Sequence, residues 1–166
     1  FKLSTGGGVF QDHGSHYADV FRWWIGDIET VSGEVNIVFP ETREVEDQAV
    51  AALNFKSGAI GTIETSWAGP SDQQGIIEAG AVYGTHGAVK FSVPSWVHYQ
   101  APNIEVWKRD THQWMTTKPL NIDMLDLTHY HYKRQIDDFV KCVEEDTAPN
   151  PSGEDGKAAI EVVLAL

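Results

Sequence analysis

The sequence predicts an α+β domain: an open, mostly antiparallel β-sheet with helices packed on one face. Three observations carry this. An amphipathic helical pattern opens the chain, short alternating runs fill the middle from about Val31 to Thr117, and helical periodicity returns at about Thr128. Strands collected between helices, instead of alternating with them, mark the segregated α+β arrangement. A chain of 166 residues with 42% hydrophobic and 22% charged residues falls in the globular range and is long enough for one domain with its own core.

The first helix is expected from about Phe10 to Ile25, with Gly26 just past its end. Tyr17, Val20, Phe21 and Trp24 recur at i, i+3, i+4 and i+7, which gives one face to bury. Asp12, His16 and Asp19 recur at i, i+4 and i+7 on a different face, free to look into a cleft. Val31 to Phe39 reads as a strand closed by Pro40, and Glu41 to Asp47 as a charged connection. Gln48 to Phe55 and Ala59 to Trp67 read as a hairpin around Lys56-Ser57-Gly58. Ala49, Ala51, Leu53 and Phe55 share one face of its first strand; Gly61, Ile63, Thr65 and Trp67 share one face of its second.

After a loop at Ala68 to Asp72, Gln74 to Tyr83 reads as a strand with Ile77, Ala79, Ala81 and Tyr83 aligned. Gly84-Thr85-His86-Gly87 turns it into Ala88 to Val93, and Ile104 to Arg109 and His112 to Thr117 follow as two more strands. Thr128 is the expected cap of a helix to Glu145, with Tyr132, Ile136, Phe139, Val140 and Val143 as its buried stripe. Ser152 and Asp155, after Pro151, have capping-box spacing at the start of a helix from Gly153 to Leu166.

Charge narrows the function classes. The chain has 24 acidic and 12 basic residues, a net charge of −12, and no basic stripe, so it is not built to neutralise a nucleic-acid backbone. Cys142 is the only cysteine, so no intramolecular disulfide forms and a reducing, cytoplasmic setting is expected. No apolar run reaches the length of a membrane span. Both ends read as cut from a longer protein, the last stopping inside an apolar helical pattern with no terminating residues.

The chemistry concentrates in Gly6-Gly7-Gly8 and the helix start behind it. A histidine in reach of carboxylates can move a proton near neutral pH. His16 also admits a structural reading, as a helix histidine satisfied by Asp12 or Asp19. The glycines either admit close approach of a cofactor to free helix amides or make a turn that needs positive φ. His13-x-x-His16 supplies two imidazoles beside Asp12 and Asp19, but no cysteine or third histidine has zinc-site spacing, so no metal site is expected. Six tryptophans raise a rival class, a carbohydrate-binding module, although sheet tryptophans more often fill cores or interfaces. No Gly-x-Gly-x-x-Gly follows a strand, and Gly156-Lys157-Ala158 lacks the hydroxyl residue of a phosphate loop.

Gly6-Gly7-Gly8, then Asp12-x-Gly14-x-His16-x-x-Asp19 and the tryptophans before Gly26, resembles the segment that opens the C-terminal domain of the Gfo/Idh/MocA oxidoreductases. Glu46-Asp47-Gln48-Ala49 leading to Phe55-Lys56-Ser57-Gly58-Ala59-Ile60-Gly61 is similar to that family's central hairpin. Tyr83-Gly84-Thr85-His86-Gly87 and Pro151-Ser152-Gly153-Glu154-Asp155-Gly156 are similar to its next turn and its late helix. The resemblance covers nearly the whole chain. It implies that residues 1–166 form a single C-terminal substrate-binding and oligomerisation domain, with an N-terminal Rossmann domain lying outside this chain. That absent domain would bind NAD or NADP and carry the Glu-Lys-Pro lysine that completes the catalytic group. The resemblance implies His16 and Asp12 as catalytic, His13 and Gln11 as substrate-binding, and Gly7 and Gly8 as cofactor-facing. It further implies a sugar or polyol substrate, and a homo-dimer or tetramer formed through the sheet. The chain alone is then expected to be inactive.

Overall fold

The computed structural model of the chain describes residues 6–69, 78–93, 103–117 and 124–166, the last stretch with side chains from Tyr132 onward. They belong to two compact units, Phe1–Gly69 with Ala148–Leu166, and Pro70–Thr147. The expected strand start at Gln74, with Ile77, and the residue Trp96 lie outside the described residues.

The first unit begins with a π-turn, Phe10–Gly14, that runs directly into helix α1, Ser15–Ile25. Gly26 ends α1 at φ 110°, a conformation that costs glycine little, and its N–H bonds to the Arg22 carbonyl at 3.0 Å. Three antiparallel strands follow in the order β1-β2-β3: β1 Ile28–Asn36, β2 Gln48–Phe55 and β3 Ile60–Ser66. Helix α3, Gly153–Leu164, completes the unit. Its cap is a full capping box, with the Ser152 hydroxyl accepting from the Asp155 N–H and the Asp155 carboxylate accepting from the Ser152 N–H.

The core follows from the alternation. Ala49, Ala51, Leu53 and Phe55 are all buried on one side of β2, and Ile63 faces the same way from β3. Phe10 and Ala18 from the first helical segment, and Ala159, Val162 and Val163 from α3, close over them. Burying side chains the size of Leu53 and Phe55 contributes about 2–3 kcal/mol each. Small residues let the helix end come close: Gly33 pairs with Ala51, and a Cβ on Gly33 would stand 3.0 Å from Leu166 Cδ1. The two helices and the sheet's buried face thus form the expected layers.

The strand expected to reach Phe39 stops at Asn36 because a buried carboxylate takes over its hydrogen bonding. Asp47 Oδ1 accepts from the Val38 N–H at 2.8 Å and Oδ2 from the Phe39 N–H at 3.2 Å. Arg43 Nη1 lies 2.9 Å from the same Oδ2, and Asp47 itself is fully buried. The connection read as merely charged therefore holds a buried node.

The second unit contains β4 Glu78–Tyr83, β5 Gly87–Val93, β6 Asn103–Lys108 and β7 Gln113–Thr116, antiparallel and in that order. Gly84 N–H bonds to the Gly87 carbonyl at 2.8 Å, which closes the expected turn. Gly80 lies opposite Phe91, whose ring occupies the place of any Cβ there (2.5 Å), and Trp107 pairs with Trp114 across β6 and β7. Helix α2 spans Met124–Glu145. It starts four residues before the expected Thr128, which therefore sits in the second turn and not at the cap. The expected buried stripe is also corrected. Tyr132, Ile136, Phe139, Val140 and Val143 are all exposed, by 47–67%. Periodicity identifies which face of a helix is apolar; it does not identify a cover for it.

Burial pushes the Asp47 carboxyl up, but the Val38 and Phe39 N–H groups and Arg43 outweigh it and hold it below the ordinary carboxylate value. Its contribution to stability is then complete above the unfolded value of about 3.9 and is lost as pH falls through the lower folded value. Asp47→Ala leaves two N–H donors and Arg43 without their acceptor and should cost about 3 kcal/mol at neutral pH. Urea unfolding of wild type and variant should show that gap closing progressively below about pH 4. A gap that persists unchanged into stronger acid would contradict the role given to this carboxylate.

Candidate functional site

The candidate site lies on the first unit, where the glycine run enters the π-turn. Gly6 and Gly7 have φ of 120° and 90°, so the turn reading of the glycine run holds there. The space beside Gly7 and Gly8 is already filled by the chain itself. A Cβ on Gly7 would meet Gln11 Oε1 at 1.9 Å, and one on Gly8 would meet the Glu46 carboxylate at 2.1 Å. Glu46 also anchors the helix start. Its carbonyl accepts from the Val9 N–H at 3.0 Å and its Oε1 from the Phe10 N–H at 3.3 Å. A carboxylate at a helix N-terminus both satisfies orphan donors and sits favourably against the helix dipole.

From that anchor the π-turn presents the polar residues. Asp12 and His16 are exposed, while Gln11, His13 and Asp19 are half-buried. Asp12 N–H bonds to the Gly8 carbonyl at 3.0 Å, and the Ser15 hydroxyl donates to the Asp12 carbonyl at 2.8 Å. The imidazole beside the Asp12 carboxylate is that of His13, with Nε2 3.5 Å from Oδ2. His13 also stands edge-on to Trp67, ring centroids 6.0 Å apart and planes at 88°. The His16 imidazole makes no hydrogen bond or ion pair with any described residue. The structure thus joins Asp12 to His13, and leaves His16 open on the same segment.

The sequence reading counts Trp67, with Trp107 and Trp114, among the apolar residues of an open sheet face that meets a partner; the structure instead sets Trp67 against His13 on the side of β3 that carries buried Ile63. The signal was present in the alternation: Trp67 continues the Gly61, Ile63, Thr65 face, and the π-turn packs on β3. In the sequence Glu46 shows only as part of the charged connection and of the hairpin pattern. A glycine triplet needing room beside it was its one indirect sign.

Asp19 lies elsewhere. It lines a cleft of about 420 Å³ with Val20, Arg22, Trp23, Asn150, Pro151 and Asp155, apart from Gln11, Asp12, His13 and His16. Arg22 fastens this end of α1, donating to the Asp155 carbonyl at 3.1 Å and to Asp27 Oδ1 at 3.2 Å. Hydrogen bonds from Lys56 and Arg22 hold the Asp27 carboxyl below its ordinary value; the Ser152 N–H and hydroxyl do the same for Asp155.

Among the described residues no three His, Cys, Asp or Glu side chains stand close enough together to hold a metal ion. Nor do these residues fit a dinucleotide. All their ladders are antiparallel, with no strand-helix-strand unit to cradle a pyrophosphate, and Gln11 and Glu46 fill the room beside Gly7 and Gly8. No described helix is long and apolar enough to cross a membrane.

Comparison with known proteins now places the chain. It is 28% identical to scyllo-inositol 2-dehydrogenase (NAD(+)) of Bacillus subtilis, over 98% of its own length and 45% of that protein. It is 28% identical to myo-inositol 2-dehydrogenase of Thermotoga maritima, over 95% of its length and again 45% of the relative. The chain therefore spans less than half of each of these relatives. Among solved structures, the WlbA dehydrogenase of Bordetella pertussis, in complex with NADH and UDP-GlcNAcA, superposes with a TM-score of 0.70 at 22% identity, covering 99% of this chain and 43% of that one. Residues 1–90, more than half of the chain, match the GFO/IDH/MocA C-terminal domain family. The chain belongs to that family of oxidoreductase domains.

Proposed function

We propose that this chain is the substrate-side half of an NAD(P)-dependent dehydrogenase that oxidises a hydroxyl group of a polyol or sugar. The observation that carries the reading is its match, over nearly its whole length, to two inositol 2-dehydrogenases. The local geometry agrees with it. Oxidising a carbinol to a carbonyl releases a proton and a hydride. The His16 imidazole, exposed and unbonded among the described residues, takes the hydroxyl proton. Asp12 accepts a hydrogen bond from a substrate hydroxyl, and His13 and Gln11 flank it. A nicotinamide bound by the rest of the intact protein would accept the hydride, with the backbone of Gly7 and Gly8 facing it.

The intact protein is further proposed to form a dimer or tetramer through the open face of its sheet. On β1–β3 that face carries Thr30, Ser32 and Glu34, then Val50, Ala52 and Asn54, then Ile60, Thr62 and Glu64. Ile60 is 80% exposed and Val50 45%. Ile63 faces the opposite, buried side and belongs to the core, and Trp67, half-buried just past β3, stands against His13, so neither lies on this surface.

Three outcomes are expected. Calorimetry of this chain alone with NAD(H) or NADP(H) should give no appreciable binding; micromolar affinity would show that the chain does hold a dinucleotide. In the full-length protein, His16→Ala should lower kcat with an inositol substrate by on the order of a hundredfold, the usual scale for a general acid or base, and Asp12→Asn by less. Sugar binding without turnover would favour a binding module instead, and near-normal turnover in the His16 variant would remove its assignment. Sedimentation of the full-length protein should show an oligomer that Ile60→Lys weakens, since a buried, unpaired lysine is costly at an interface. A strictly monomeric protein at high micromolar concentration would overturn the assembly.

A further inference from the structure

We infer that His13 is a positioning residue: it holds the Asp12 carboxylate toward substrate, and Trp67 in turn holds His13. The inference rests on the functional reading above and adds a residue to it. Three observations converge. His13 Nε2 is 3.5 Å from Asp12 Oδ2, whereas His16 makes no contact of this kind with Asp12. The His13 side chain is 24% exposed against 55% for Asp12, so the imidazole is the fixed member of the pair. Trp67 stands edge-on to the imidazole at 6.0 Å, an arrangement aromatic pairs favour.

Trp67 is itself anchored at both ends of its peptide unit. Its N–H bonds to the Asp47 carbonyl at 2.7 Å, and its carbonyl accepts from Arg43 Nη2 at 3.2 Å. A continuous set of contacts therefore runs from the buried Asp47–Arg43 pair through Trp67 and His13 to Asp12. Without it, an exposed aspartate at a helix start is free among several rotamers, and ordering it on substrate binding costs entropy. The 3.5 Å separation is longer than a well-formed hydrogen bond, so the coupling is modest.

The test uses the full-length enzyme. His13→Phe keeps an aromatic ring against Trp67 and removes the nitrogen; kcat/KM should fall about tenfold. His13→Gln, whose amide nitrogen can stand in for Nε2, should remain within about twofold of wild type. In an Asp12→Asn background, His13→Phe should add no more than about twofold, because both changes remove one interaction. Trp67→Leu should reproduce the His13→Phe signature with the histidine still present, and it serves as the second variant if His13→Phe does not fold. Crystal structures should show the Asp12 carboxylate displaced in His13→Phe. An Asp12 carboxylate that stays in place, or a His13 effect that is undiminished in the Asp12→Asn background, overturns the inference. His16→Asn separates the two levels. If it spares turnover, the functional reading fails; if it abolishes turnover while His13 and Asp12 act independently, only the positioning role falls.

Discussion

The buried Asp47 carboxylate is the constraint on which the first unit depends. A fully buried charge is tolerable only when every oxygen is used, and here the Val38 and Phe39 N–H groups and Arg43 use both. The cost of burial is met by tying together three stretches that are separate in sequence and meet at one end of the sheet. The Asp47 N–H reaches the Asn36 carbonyl, its carbonyl receives Trp67, and its carboxylate ends β1. One residue thus sets where β1 stops and how β3 leaves the sheet.

Its neighbour does the same work toward the site. Asp47 is committed to the strands, while Glu46 uses its carbonyl and carboxylate on the N–H groups of Val9 and Phe10. The consecutive acidic pair therefore joins the sheet to the start of the helix. Gly8 is the complement to this arrangement, since a Cβ there would overlap both the Glu46 carboxylate and its carbonyl oxygen, at 2.1 and 2.4 Å. Gly8 is explained by an acid 38 residues further along, packed where a side chain would be.

Most of the architecture was legible because it rests on local rules. The β2–β3 hairpin, the Gly26 end of α1 and the Ser152–Asp155 box are specified by alternation, turn chemistry and capping within a few residues. Errors arose where a long-range partner intervened. Val38 and Phe39 have strand-forming character, yet Asp47 captures their N–H groups. Tyr132, Ile136, Phe139, Val140 and Val143 are spaced as an apolar stripe, yet spacing carries no information about a cover. The site showed the same division. Asp12, His13 and His16 were visible as chemistry on one short segment, but the pairing within it was not. Helical spacing suggested Asp12 with His16. The π-turn changes the local geometry, and the contact formed is with the adjacent His13.

That difference bears on how a helix start of this kind keeps its shape. Gly14 lies inside the π-turn against the Phe10 ring, where a Cβ would stand 2.8 Å from Cδ2, so the turn packs tightly on its own core residue. Phe10 is buried with Ala18 and the β2 face, so the irregular turn is held from beneath by the hydrophobic core. From the side it is held by Glu46 and by the Trp67–His13 contact. An irregular helical start has fewer internal hydrogen bonds to enforce it than a regular helix does, and it persists only where its surroundings over-determine it. Here the over-determination comes from β3, from the acidic pair and from the core together. His16, at the first turn of regular α-helix behind this support, is left exposed, as the proton-transfer role proposed for it needs.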